Sequence, residues 1–274
     1  MELEIAGLVV LGFAVGTYGT IIGLGGGFIL VPVLLLVYPN YEPEQFTAIS
    51  LAVVWANTTS GSIAYARQQR IDYVTGLIFA ASSVPGVVAG VFLVDLVPKS
   101  LFTVLFALLL LGLAWLALRG SPRGIRPPLS GRGVIVRTLV LPEGTYRYGY
   151  RLWQGIGLSM GVGLVSSIFG IGGGAIHVPA MISLLHFPVQ FAVATSHFTL
   201  AFMSGGATIV HLLNGTLKGE QLVKAVALAV GAVPGAQVGA WIAHRMRGAT
   251  VVRLLVVALL LLAVRLLLKG VAGV

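Results

Sequence analysis

The chain has 274 residues, of which 57% are hydrophobic and only 9% charged, with a formal net charge of +9 and a mean hydropathy of +1.00. A soluble domain needs about 25% charged residues to cover its core, so this composition excludes one and points to lipid as the solvent. The chain contains no cysteine, which removes disulfides, thiolate chemistry and cysteine metal sites.

In chain order, apolar runs of spanning length are predicted at 3–22, 46–66, 73–94, 100–118, 152–169, 190–213, 220–243 and 249–268, giving about eight full spans. The N-terminal stretch has no basic region before its apolar run, so it reads as a retained first span and not a removed signal peptide. Two shorter apolar pieces, 28–38 and 175–186, each follow a glycine cluster. They are too short to cross upright and read as half-helices or re-entrant helices. All eight acidic residues lie at the ends of the apolar runs or between them, where an ionised carboxylate avoids hydrocarbon. The segment 119–150 is the one long polar stretch. Seven of the seventeen basic residues fall between Arg119 and Arg151, the pattern of a cytoplasmic loop rather than of a nucleic-acid surface. Around Pro142, Glu143 and Gly144 its alternation also suits a small hairpin.

The chain reads as two homologous halves, 1–118 and 151–274, joined by the basic linker. GLGGGFILVP (Gly23 to Pro32) matches GIGGGAIHVP (Gly170 to Pro179). AIS ending at Ser50 then matches ATS ending at Ser196, and VPGVVAG (Val84 to Gly90) matches VPGAQVG (Val233 to Gly239). Equivalent loops carry opposite charge bias: Arg67 and Arg70 correspond to a nearly neutral loop at 214–220, and the Asp95–Lys99 loop corresponds to His244, Arg245 and Arg247. If each short piece turns the chain, each half has five elements, the repeats are inverted and both termini face outward. If it merely continues its span, each half has four and the His244–Arg247 loop falls outside, against the positive-inside rule, so inversion is the favoured expectation. The expected fold is an all-α polytopic membrane protein.

The glycine clusters carry the chemistry. Gly25, Gly26 and Gly27, and likewise Gly172, Gly173 and Gly174, stand between the end of one helix and the start of the next. Such a break lets backbone groups approach a ligand, and the following helix offers unpaired N–H groups and a positive dipole end. Non-helical backbone at membrane depth is tolerated only in protein or around a cavity, so two matched breaks predict a substrate site near the midplane. The alternative for any one glycine is close helix packing, which is the expectation for Gly231, Gly235 and Gly239. Ser50, Asn57, Thr195 and Ser196 are the candidate hydroxyl and amide donors. His197, beside Ser196, is a candidate proton carrier. Its counterpart in the first half is Leu51. No carboxylate lies within a span, so an anion is favoured over a cation as substrate. Neither a metal nor a cofactor is expected, because no histidines cluster at ligand spacing. Gly170, Gly172 and Ala175 fit a dinucleotide fingerprint, but a bilayer-length helix precedes them and no acidic residue follows at the required distance.

These residues carry a resemblance. GLGGGFILVP with AIS, GIGGGAIHVP with ATS, and VPG-x3-G late in each half resemble the sulfite exporter family TauE/SafE, over nearly the whole chain outside the linker. The resemblance implies an inner-membrane exporter of small sulfur-containing anions such as sulfite or organosulfonates (sulfoacetate). It carries the family's glycine motifs onto Gly23, Gly25–Gly27, Gly170 and Gly172–Gly174, and the serine of the second motif onto Ser50 and Ser196. Ile49, where threonine is frequent, and His197, at a usually apolar place, depart from the pattern. The expected partners are a small anion, membrane lipid and a coupling proton or ion. The alternatives are an anion channel or a permease for another small carboxylate or oxyanion. An intramembrane enzyme lacks a nucleophile–base pair, and a non-transporting scaffold would leave duplicated polar breaks without a use.

Overall fold

A computed structural model describes residues 2–119, 133–141 and 144–271. Among them five helices precede a hairpin and five follow it. These are α1 (Glu2–Ile21), α2 (Gly27–Val37), α3 (Pro43–Arg67), α4 (Tyr73–Leu93) and α5 (Lys99–Arg119); strands β1 (Val134–Leu141) and β2 (Gly144–Arg151); then α6 (Leu152–Phe169), α7 (Gly174–Ser183), α8 (Val189–Leu213), α9 (Gly219–Arg245) and α10 (Gly248–Val271). This is an all-α polytopic membrane fold with one small antiparallel ribbon.

Seven helices are both long and apolar enough to cross a membrane, where the sequence predicts about eight. The difference is α3. It has the length, 25 residues, but Thr47, Ser50, Asn57, Thr58, Thr59 and Ser60 dilute its apolar content. The hairpin forms within the linker, pairing Arg137 with Tyr148 and Ile135 with Tyr150. The linker's remaining basic run (Arg123, Arg126, Arg132) and the turn residues Pro142 and Glu143 lie outside the described residues.

Glycine decides how the helices meet. On α9, Gly231, Gly235 and Gly239 lie against the backbone of Val9, Phe13 and Thr17 on α1, while Gly12 and Gly16 of α1 face Leu228 and Ala232. A methyl group at Gly16 would sit 2.6 Å from the Ala232 carbonyl oxygen, so no side chain fits in this seam. The same seam recurs between α4 and α6, where Gly86 and Gly90 face Met160 and Leu164, and Gly163 faces Ser83 and Val87. In both seams the contacts advance together along the two helices. Between α3 and α8 they run in opposite senses: Trp55 meets Gly205, and Gly61 meets His197.

The short helices turn the chain back. α2 has 11 residues and α7 has 10, about 16 Å at 1.5 Å per residue against a hydrocarbon core of about 30 Å. The Tyr38 hydroxyl, at the end of α2, donates to Glu4 Oε1 at 2.8 Å, so α2 returns to the side where α1 begins. α7 behaves alike: Phe187, just beyond it, packs on Tyr150, immediately ahead of α6.

Candidate functional site

The two glycine breaks face each other across the α3–α8 crossing. Gly26 and Gly173 stand before α2 and α7 at φ +89° and +84°, a left-handed conformation that glycine adopts without strain. A methyl group at Gly27 would lie 2.6 Å from the Gly170 carbonyl oxygen, and one at Gly174 would lie 2.6 Å from Leu24 Cα. Each break is therefore built around the other. The first amides of α2 and α7 open their helices without intrahelical acceptors, next to Val54 and Leu200 where α3 and α8 cross.

Of the predicted polar residues, Asn57 and His197 come together with Thr20 and Tyr65, which the sequence reading did not single out. Asn57 Nδ2 donates to Thr20 Oγ1 at 3.2 Å, and Thr20 Oγ1 lies 3.2 Å from His197 Nε2. The Tyr65 hydroxyl donates to the Thr20 carbonyl at 2.8 Å, and its ring meets the His197 imidazole edge-on at 5.5 Å. Gly61 allows this: a methyl group there would sit 2.6 Å from His197 Cδ2. Ser196 and His197 are fully buried; Ser196 Oγ has no hydrogen-bond partner, whereas the His197 imidazole meets the Gly23 backbone as well as Thr20. An unpaired buried polar group costs about 1–3 kcal/mol; Ser62, His177 and His211 carry such atoms too, and Ser196 differs in lying beside the Thr20–His197 contact.

The other predicted residues are used within the protein. Ser50 Oγ donates to the Gly170 carbonyl at 2.6 Å, binding α3 to the second break. Thr195 Oγ1 accepts from the Asp72 backbone N–H at 3.0 Å and so faces the start of α4, away from Thr20.

Residues 8–266 match the family described as Sulfite exporter TauE/SafE. The chain is 34% identical to the Bacillus subtilis (strain 168) "Probable membrane transporter protein YunE", over 96% of this chain and 97% of that one. It is 25% identical to a "Probable membrane transporter protein" of Haemophilus influenzae, over 78% and 76%. It is 28% identical to the "Probable membrane transporter protein MamO" of Paramagnetospirillum magneticum, over 92% of this chain but 42% of that one. No solved structure matches. The chain belongs to the TauE/SafE family. It is a multi-pass membrane transporter.

In this TauE/SafE transporter the repeat register exposes an asymmetry. Counting from Ser50 and Ser196, Asn57 corresponds to Met203, Gly61 to Ala207 and Tyr65 to His211; His197 corresponds to Leu51. Around Leu51 the packed side chains include an apolar group, while His211, the counterpart of Tyr65, is buried with both ring nitrogens unpartnered. Leu51, Val87, Val91, Val162, Met203 and Ala207 form a hydrophobic cluster apart from the main core. Thr20 escaped the sequence reading because it stands in an apolar run three residues before Gly23, and its counterpart Ser167 lies beside this apolar cluster's half. A search for hydroxyls just before each glycine motif would have found both.

Two further polar clusters close the ends of the molecule. At one end the Lys224 ammonium bonds to Glu220 and, at 2.8 Å, to the Tyr41 hydroxyl, with Glu4 Oε1 at 3.8 Å. At the other end Asp72, fully buried, holds Arg137 of the hairpin, with Arg137 Nη2 3.0 Å from Oδ1 and Nε 3.1 Å from both oxygens. Tyr148 donates to Asp72 Oδ2 at 2.8 Å, as does the Thr75 hydroxyl at 2.6 Å. Burial, reinforced by the Asp72 carboxylate, raises the Tyr148 phenol far above its usual range, so it stays protonated and donating. Removing one partner of a buried ion pair costs about 3–5 kcal/mol.

Proposed function

We propose that this transporter exports a small sulfur-containing anion, such as sulfite or an organosulfonate (sulfoacetate), across the inner membrane by alternating access. The observation that carries the reading is the unpartnered buried Ser196 Oγ, next to the Thr20–Asn57–His197 set and beside the facing helix breaks. Neutral donors and helix starts suit an oxyanion: they stabilise its charge without a fixed cation that would hold it too tightly for release. His197 is the imidazole at this site, next to Thr20, and is the candidate to carry a coupling proton.

The moving parts follow from the seams. α1 and α9 are fused by glycine packing, as are α4 and α6. α3 bonds to α9 through Ser60 and Gln237, and α8 bonds to α4 through Thr199 and Thr195. Two units, α1–α3–α9 and α4–α6–α8, therefore meet at the α3–α8 crossing, where both breaks lie. Rocking along that crossing exposes the site to one side and then the other. The opposite sense of the α3 and α8 contacts supports inverted halves. So does the gathering of Glu4, Tyr38, Tyr41 and Glu220 at one end and of Arg137, Asp72 and the α3–α4 turn at the other. The positive-inside rule makes the hairpin end cytoplasmic.

The test is flux. Proteoliposomes loaded with labelled sulfite should show saturable efflux, competed by one of sulfoacetate, sulfate, thiosulfate or chloride, and should show counterflow, which a channel does not. If folded protein moves none of these anions, the substrate class is wrong. Single cysteines at Arg70 and Met246 should label from the same face, and opposite faces would overturn the inversion.

A further inference from the structure

We propose that the linker hairpin is a clamp on the cytoplasmic roof of the substrate pocket, and that it must release for the pocket to open on that side. The proposal rests on the pocket assigned above, but it does not depend on which anion is carried.

The roof is the turn between α3 and α4. It begins at Tyr65, whose hydroxyl and ring close the pocket over Thr20 and His197. The Arg70 N–H donates to the Tyr65 carbonyl at 3.3 Å, and Gln69 is held at φ +56°, a conformation that residues with a Cβ seldom adopt. The turn ends at Asp72, whose backbone bonds to Thr195, the neighbour of Ser196. The roof is thus tight, strained at Gln69 and tied to α8 one residue from Ser196, and its far end is a fully buried carboxylate.

The charge at that end is compensated by the hairpin. Among the described residues, the Asp72 carboxylate takes bonds from Thr75 at the start of α4 and, from the linker, from Arg137 of β1 and Tyr148 of β2. The opposite end of the molecule shows why. There the cation is Lys224 of α9, part of the spans themselves. Its counterpart in the first half is Thr75, and the counterpart of Tyr41 is Phe187. The helices at the hairpin end thus supply no cation at the matching position, and Arg137 supplies it from outside.

The alternation of β2 reinforces the contact. Tyr146, Tyr148 and Tyr150 share one face of the ribbon. Tyr148 and Tyr150 are buried, packing on Phe187 at 4.4 and 5.4 Å, and Tyr146 meets Phe191 at 5.2 Å. From Tyr150 a stack continues through Phe79 to His177 in the first turns of α7, and His177 Nε2 lies 3.2 Å from Ser159 Oγ. The hairpin is therefore in physical register with both the roof and the second broken helix. A segment with only a positive-inside role would need neither contact.

The absence of native cysteine makes the test direct. A single thiol is placed by Ser196→Cys, and its reaction with a membrane-impermeant methanethiosulfonate is timed from the hairpin side. Adding Arg137→Ala should raise that rate by about tenfold or more, Tyr148→Phe by about threefold, and Arg137→Lys least, because a lost clamp shifts the population toward the open roof. An unchanged rate in folded Arg137→Ala overturns the clamp. If Arg137→Ala does not fold, Tyr148→Phe decides, and no change there overturns it equally. In a second arm, Tyr146→Cys/Phe191→Cys is bridged with a short bis-methanethiosulfonate and labelled sulfite efflux is measured. Efflux should stop and return on reduction, and full efflux through the bridged protein overturns the clamp. If the unbridged pair carries no sulfite, the anion reading fails, while the labelling arm still judges the hairpin.

Discussion

The pocket around His197 and its counterpart around Leu51 share a backbone plan and differ in chemistry. Both lie beside a glycine break, both are walled by the α3–α8 crossing, and both abut a glycine seam. One holds Thr20, Asn57, Tyr65 and His197 in a connected polar set. The other holds Leu51, Val87, Val162 and Met203 in a hydrophobic cluster, with His211 at the position of Tyr65. The repeat thus conserves the machinery that moves and confines the recognising groups to one side. If the halves are inverted, the polar pocket lies toward the hairpin end and the more apolar one toward the acidic end. Under the function proposed above, an anion arriving from the cytoplasm would meet these donors first and leave them on the way out.

The shared part is the most fragile. Gly27→Leu and Gly174→Leu each drive a side chain into the opposing break, where even a methyl group has no room. Either should cost at least the roughly 1–3 kcal/mol typical of overpacking, and more where backbone must move, so the yield of monodisperse protein should collapse. Gly112→Leu, with nothing within 4 Å of its added carbon, should melt like the parent. Equal behaviour of all three would mean that the breaks do not depend on each other.

The unshared part should separate flux from folding. Asn57→Leu gives the polar pocket the chemistry of the more apolar one. It removes both of the amide's contacts to Thr20, and sulfite efflux should fall by about tenfold to a hundredfold, the effect of losing one or two buried donors. Met203→Leu is a volume-conserving change in the more apolar pocket and should cost under about 1.5 kcal/mol with flux near the parent's. Comparable losses from both would erase the asymmetry.

Much of this arrangement was legible in the sequence because it is local or repeated. The two glycine motifs pointed to both breaks and both short helices, and the four-residue spacing of Gly231, Gly235 and Gly239 pointed to close helix packing, though not to α1 as the partner. The polar set was only partly legible. Asn57 and His197 stand out as polar residues in apolar runs, whereas Thr20 matters through a fold-level meeting with residues 37 and 177 positions away. Asp72 looked like an ordinary loop carboxylate between spans. Its burial depends on Arg137 and Tyr148, 65 and 76 residues on, and no local pattern announces that pairing. The hairpin itself showed in the alternation of β2, but its docking did not.

The smallest expected effect is also the sharpest, because it sets two serines at equivalent positions against each other. Ser50 Oγ donates to the Gly170 carbonyl at 2.6 Å, whereas Ser196 Oγ has no partner. Both are fully buried. Ser50→Ala strands a buried carbonyl and should lower stability by about 1–3 kcal/mol, seen as a lower melting temperature in detergent. Ser196→Ala removes a hydroxyl that was already unpaired, so stability should hold or rise slightly. Its effect should appear in transport, as a weaker apparent affinity for sulfite with little change in melting. Sequence alone treats the two serines as one motif repeated, and so predicts one phenotype twice. A stability loss confined to Ser50→Ala and an affinity loss confined to Ser196→Ala would show that the repeat has divided its labour, with one serine holding a break together and the other left free for the anion.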